Sequence, residues 1–215
     1  RQKRGKTPTE TLSALGVLSG WTVAAHAVWL TDEDIQLLRA SLAGIAHNPS
    51  SNMMLASGIA PVPKLIAQGI PVGLGTDGPA GSNNDFDLFE EMDLAAKLQK
   101  VTGDPTALTA QQAFAMATLE GARALRMEHV IGSLEAGKFA DVISVRLDSP
   151  RAAPLYDVYA QLVYALKASD VSDVMVNGKL IVRNKASLTL NPAPILTKAA
   201  EYRGPNECHV RGSRR

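Results

Sequence analysis

The stretch IPVGLGTDGPAGSNN, residues 70–84, governs how the rest of this chain is read. It opens as an apolar, β-branched run, Ile70, Pro71, Val72, Gly73 and Leu74, which suits a strand buried on both faces. One carboxylate, Asp77, follows among small residues, and Gly75, Gly78 and Gly81 let the backbone turn sharply and let a ligand approach. A carboxylate at the C-terminal end of a buried parallel strand sits where α/β barrels keep their chemistry. Taken alone, Asp77 is better explained by a turn or by the cap of the helix that follows. The segments before it shift the balance.

Residues 21–30 (WTVAAHAVWL) are nearly all apolar and read as a central strand whose one ionisable residue is His26. Thr31, Asp32, Glu33 and Asp34 make an acid-rich helix start, with Ile35, Leu37, Leu38 and Leu42 as its apolar face. Gly44, Ile45, Ala46 and His47 form a second short strand, which runs out into Asn48, Pro49, Ser50, Ser51 and Asn52. Residues 60–68 are a short helix with Pro61 near its start and Gly69 as its C-cap, and residues 70–76 are the third strand. Residues 86–100 are a strong helix whose expected buried positions are Leu88, Phe89, Met92, Leu94, Ala95 and Leu98. Upstream, residues 1–6 are a basic loop. Thr7, Pro8 and Glu10 then open a helix with Leu12, Leu15 and Leu18 on one face and Gly20 closing it.

His26, His47 and Asp77 therefore fall at the ends of successive strands, 21 and then 30 residues apart. A (β/α)8 barrel of about 250 residues spends roughly 30 residues per unit, so this is strand–helix spacing. In such a barrel the three side chains gather at one rim. Either histidine alone is more often a hydrogen-bonded core residue than a catalyst; three polar groups at the same place in successive units favour a joint site.

Downstream, residues 109–125 read as one helix capped by Thr109, with Ala113, Ala117 and Ala124 allowing close packing. Residues 131–138 are a turn-rich link without phosphate-binding spacing, and His129 beside it is a surface residue. Residues 140–147 alternate as a strand. Residues 171–176 and 179–182 flank Asn177-Gly178, a strong hairpin signal. Residues 154–166 read as a helix whose tyrosines, 156, 159 and 164, serve packing. Residues 192–202 read as a last helix folded back on the barrel. Residues 204–215 are basic and aperiodic, which suggests disorder, and Cys208-His209 is a poor ligand pair for one ion.

The 215-residue chain is 46 % apolar, enough for a buried core, and carries 22 basic against 21 acidic residues for a net charge of +1. That balance gives no electrostatic case for nucleic acid or an anionic membrane surface. The single cysteine excludes a disulfide framework and favours a reducing, cytoplasmic setting. No apolar run approaches the length of a membrane span.

Four runs, AAHAVWLTDEDI, AHNPSSNMMLASGIAPVPKLI, VGLGTDGPAGSNNDFDLFEEM and IGSLEAGKFADVISV, closely resemble the amidohydrolase superfamily. The likeness is to the branch containing methylthioadenosine/S-adenosylhomocysteine deaminases and triazine chlorohydrolases, and it covers roughly residues 7–202. It implies an α/β fold: the C-terminal portion of a (β/α)8 TIM barrel, about strands 6–8, then a small β domain and a C-terminal helix. The implied divisions are a partial hydrolase barrel at 1–130, a small β segment at 131–190, and a helix with a disordered tail at 191–215. In the family a divalent metal, zinc or iron, is held by a His-x-His pair, a further His and an Asp. The resemblance makes Asp77 that metal ligand and proton shuttle, His26 the histidine that assists the chemistry, and His47 and Asn48 residues of the pocket wall that contact substrate with Asp77.

The departure from the pattern is the absence of any His-x-His and of the His-x-x-Glu expected before Arg1. The expectation is thus a C-terminal fragment of a hydrolytic deaminase acting on an amino-substituted purine or related N-heterocycle, inactive alone. The alternatives are a chlorohydrolase or guanine deaminase, or a non-catalytic or split-enzyme module that pairs with a chain carrying the missing residues. The implied partners are a small-molecule substrate and either a second copy or an N-terminal half.

Overall fold

Three parallel strands, β1 (Val23–Ala25), β2 (Gly44–His47) and β3 (Val72–Leu74), form a sheet in chain order. The computed structural model describes residues 5–202 except 80 and 102. Register places Ala24 beside Ile45 and Ile45 beside Val72. In-register residues share a face of the pleat. These three join one apolar cluster with Ile35 and Leu38 of α2 (Asp32–Ala40) and Val62 and Leu65 of α4 (Val62–Ala67). Between β2 and α4 runs the short helix α3 (Pro49–Met54).

The other face of the sheet is built for close approach. A Cβ on Gly44 would stand 2.4 Å from the carbonyl oxygen of Ala124, and one on Gly73 would stand 2.8 Å from Gly121 Cα, both in α7 (Leu119–Ala124). Helix α5 (Leu88–Lys100) joins two cores: Ala95 enters the cluster behind the sheet, while Phe89, Met92 and Ala96 pack with Ala113 of α6 (Ala110–Met116), Val163 and Leu166. A second sheet is antiparallel, with strands β4 (Val142–Val145), β5 (Val171–Val176), β6 (Lys179–Arg183) and β7 (Ala186–Ser187) in that order. Asn177 (φ +47°) and Gly178 (φ +75°) turn β5 into β6 with both residues left-handed, as a tight hairpin requires. Thr7, Thr31 and Thr109 each close a capping box, for α1 (Pro8–Ala14), α2 and α6.

Several elements differ from the expectation. The strand expected over residues 21–30 is only Val23–Ala25, because the chain turns at His26 (φ +67°) and Ala27 (φ +51°). It is an edge strand, and Trp21 and Trp29 are 84 % and 85 % exposed. Helix α1 ends at Ala14 with Gly16, not Gly20, in the left-handed position after it, and Leu12 and Leu15 are exposed. The single helix expected over 109–125 is broken into α6 and α7 at Thr118 (φ −130°, ψ −101°), which lets Gly121 reach Gly73. The run after His47, to which the sequence reading assigns no element, forms α3 from Pro49. Of residues 154–166 only α8 (Val158–Ala160) and a π-turn over Gln161–Ala165 are helical, and Tyr156 is exposed. Helix α9 (Pro192–Glu201) buries none of its residues. Leu42 and Leu88 are exposed where burial was expected. Residues 1–4 of the basic N-terminal run, and 204–215 with Cys208 and His209, lie outside the described residues. Among those described, no helix is long and apolar enough to cross a membrane.

Two outcomes follow from this packing. Gly44→Ala and Gly73→Ala should each cost about 1–3 kcal/mol, read as a lowered urea midpoint, because the obstructing atoms are backbone. Gly78→Ala, with nothing within 4 Å of its Cβ, should change stability by less than about 0.5 kcal/mol. Since the β1 edge and its two flanking tryptophans are exposed, the 215-residue chain alone should self-associate in sedimentation velocity. A monodisperse monomer with a cooperative thermal transition would contradict this.

Candidate functional site

The sheet fixes where the polar groups emerge. His26 directly follows β1, and its amide donates to the Ala46 carbonyl at 2.9 Å. Asp77 lies three residues beyond β3. Both are left-handed, at φ +67° and +62°, a region that His and Asp tolerate better than most residues. The result brings His26 Nε2 to 3.7 Å from Asp77 Oδ2, although β2 separates their strands.

Helix α3 supplies the contacts that hold the pair. The Ser51 hydroxyl donates to Asp77 Oδ2 at 2.7 Å, and the Gly78 amide donates to Asp77 Oδ1 at 2.7 Å. Asn52 Oδ1 lies 2.9 Å from His26 Nδ1. When His26 is neutral and donates that bond from Nδ1, Nε2 is left as an acceptor on the side of Asp77. The Ser51 hydrogen bond first, then the Gly78 amide, hold the Asp77 carboxyl below its ordinary pKa; burial opposes them, and Ser82 and His26 add to the lowering. Asp77 is therefore an anionic oxygen at neutral pH, suited to a cation or to accepting a proton.

His47 and Asn48 lie deeper. His47 is two residues past Ile45 and extends from the same face of β2; it is 1 % exposed. Burial, and secondarily the nearby His26, push its pKa down to about 4. Asn48 Nδ2 stands 2.7 Å from where a Gly75 Cβ would be, so a side chain at 75 would push that amide aside. Both ring nitrogens of His47, Asn48 Oδ1 and Asn52 Nδ2 are buried without a hydrogen-bond partner among the described residues.

Sequence reasoning missed Ser51, Asn52 and Glu91. Glu91 is 1 % exposed; Oε2 accepts from the Ser50 amide at 3.1 Å and Oε1 from Asn83 Nδ2 at 3.0 Å. Burial raises its pKa, against the pull of the Ser50 bonds. A signal was present: Glu91 is three residues after Leu88 and four before Ala95, on the stripe marked as buried. A carboxylate on a buried stripe demands partners.

Among the described residues no group of three or more His, Cys, Asp or Glu side chains is placed to hold a metal ion. Asp77 alone can offer such a centre one anionic oxygen. Residues 2–181 match the model of the Amidohydrolase family, and the chain belongs to that family. It is 43 % identical over 199 residues to a 5-methylthioadenosine/S-adenosylhomocysteine deaminase of Thermodesulfovibrio yellowstonii, covering 92 % of this chain and 45 % of that protein. It superposes with a TM-score of 0.90 and 37 % identity on an adenosine deaminase from Xanthomonas campestris solved with bound zinc, over 94 % of this chain and 46 % of that one. An atrazine chlorohydrolase from Arthrobacter aurescens, complexed with zinc, gives 0.86 at 28 % identity over 93 % and 44 %. The chain spans about half the length of the curated relatives it matches, and the fold of its structural neighbours is the amidohydrolase barrel.

The buried His47 gives a pH dependence of fixed sign. Its folded pKa, about 4, lies below the unfolded 6.5, so the unfolded chain binds the extra proton. Stability is full above the unfolded value and falls as pH drops through that interval, by about 3 kcal/mol in all. Urea titrations between about pH 7 and about pH 4 should show this slope, and His47→Asn should remove most of it.

Proposed function

We propose that this chain is the part of a metal-dependent amidohydrolase that carries about strands 6–8 of the barrel, as β1, β2 and β3. The whole protein would hydrolytically deaminate an amino-substituted purine or related N-heterocycle of the methylthioadenosine/S-adenosylhomocysteine kind. One observation carries the reading: His26 and Asp77, from strands that are not neighbours, meet 3.7 Å apart at one rim of a parallel sheet. Family membership and the names of the relatives support the substrate class. We place the barrel part at 1–130, a small β segment at 131–190 and a helix with tail at 191–215; the change from a parallel to an antiparallel sheet between β3 and β4 supports the division.

The residues present fit a share of a zinc or iron centre, since tight protein sites take three or four ligands and Asp77 offers one anionic oxygen donor. When bound, a divalent metal supplies Lewis acidity that makes water nucleophilic near neutral pH. Asp77 would ligate through its carboxylate, take the proton from the attacking water, and return it to the departing amine. His26, with Nδ1 held by Asn52, would present Nε2 to the nucleophile or to the developing tetrahedral centre. The C–N bond to the amino group breaks, a C–O bond forms, and ammonia leaves. His47 and Asn48 lie one layer below this pair. Their unpaired polar atoms support a place in the substrate's hydrogen-bond network, reached through water or through the side chains above.

A second reading is a module that completes a partner chain bearing the other ligands, and the lack of a three-ligand cluster among the described residues favours it. Either way, in the protein as it occurs with its remaining ligands, Asp77→Asn should abolish turnover and release the metal. His26→Asn should keep the metal and lower kcat by about 10²–10⁴-fold. The 215-residue chain alone should hold no stoichiometric zinc in equilibrium dialysis followed by elemental analysis. One tightly held zinc or iron per chain, lost in Asp77→Asn, would overturn the ligand assignment.

A further inference from the structure

We propose that Glu91 is a positioning residue whose buried carboxylate sets the geometry of Asp77 by tying together the two segments that hold it, the first turn of α3 and the loop after β3. The proposal rests on the reading of Asp77 as the reacting carboxylate, and its test separates the two ideas. Helix α5, which carries Glu91, is held from both sides, by Ala95 in one core and by Phe89, Met92 and Ala96 in the other. The carboxylate is thus fixed relative to the sheet before it makes any polar contact.

Each oxygen then reaches a different segment. Oε2 accepts from the Ser50 amide at 3.1 Å, in the first turn of α3. The next two residues of that turn are Ser51, which donates to Asp77 Oδ2, and Asn52, which meets His26 Nδ1. Oε1 accepts from Asn83 Nδ2 at 3.0 Å, and the same amide group donates at 2.8 Å to the carbonyl of Thr76, the residue before Asp77. Asp77 is therefore approached along two routes, through its hydroxyl partner and through its own backbone, and both routes end on Glu91.

The chemistry of the two contacts calls for a carboxylate. Both partners are N–H donors, so the side chain between them must accept at both ends. Glutamine would turn an NH2 toward one donor and break that arm; aspartate is one methylene too short to reach both. For stability alone an apolar residue would serve at this place on α5, since a buried charge matched only to neutral donors gains little over good packing. What a carboxylate adds is a fixed distance between two segments.

The test uses the metal-loaded full-length protein with a deaminase substrate, and reads kcat, KM, metal content and amide hydrogen exchange. Glu91→Gln should lower kcat by about 10–100-fold with KM and metal content within about twofold of the parent. Exchange should quicken in residues 48–54 and 76–84 and not along α5. Because one of the two routes from Glu91 runs through the Ser51–Asp77 contact, Glu91→Gln combined with Ser51→Ala should cost less than the product of the two single losses. Glu90→Gln, an exposed neighbour, should behave as the parent. If Glu91→Gln fails to fold, Asn83→Ala cuts one arm from the far side and is read in the same way. Parental kcat in a folded Glu91→Gln, fully multiplicative losses, or faster exchange spread over α5 would each overturn the proposal. Should the parent protein deaminate nothing, the proposed function falls. The exchange comparison then still decides the tether: faster exchange in both segments supports it, and unchanged exchange overturns it.

Discussion

Two hydrogen bonds, from the Ser51 hydroxyl and the Gly78 amide, hold the Asp77 carboxylate beyond the end of β3, and the candidate site is arranged around that hold. Left-handed backbone is less costly for Asp than for most residues, and the two donors fix the carboxylate that its φ of +62° presents. His26 sits in the same backbone region at the end of β1. In an extended continuation the two side chains would follow the alternation of their own strands. The left-handed turns release them from that alternation, and Nε2 and Oδ2 meet across the width of β2.

What was legible in the sequence is what local chemistry decides. The capping box of Thr7 and Glu10, the strand Gly44–His47 and the Asn177-Gly178 turn appear as read, because each depends on residues within a few positions of one another. The clustering of His26 with Asp77 was legible from strand–helix spacing, since a parallel sheet puts successive strand ends at one rim. Residues 21–30 misled in extent, because an apolar run does not show where the chain turns: the strand stops at Ala25 and the backbone turns at His26 and Ala27. The run from Asn48 to Asn52 carried no helix signal, because Pro, Ser and Asn favour turns locally. There the fold makes a helical turn of them, pinned from outside by Glu91. Nothing local announces that Ser51 faces a carboxylate 26 positions away.

The electrostatics of the site follow from which groups water reaches. Asp77 and His26 are partly exposed, so the carboxylate keeps its charge, favoured by two close donors. His47, one layer down, is denied water and is held neutral. The same strand ends thus present a charged upper layer and a neutral lower layer. A cation is attracted to the upper layer; the lower one offers hydrogen-bonding capacity without charge. Under the proposed function that separation would matter, since a charged imidazole beneath an uncharged heterocycle would compete with a metal for Asp77.

The polar layer is not free of cost to the fold. Burying polar groups costs stability unless they are hydrogen-bonded, and this chain places several, with the Glu91 carboxylate, directly under the rim. The apolar clusters that carry this load lie on either side of α5, and the glycine contacts of Gly44 and Gly73 with α7 close the opposite face of the sheet. Packing of that kind is rigid, because neither contact can give without moving backbone. The division of labour is consistent: the closely packed faces fix the strands and α5, α5 fixes Glu91, and Glu91 fixes the two segments. The left-handed residues at the rim can then be aimed for chemistry, since they need contribute nothing to holding the sheet together.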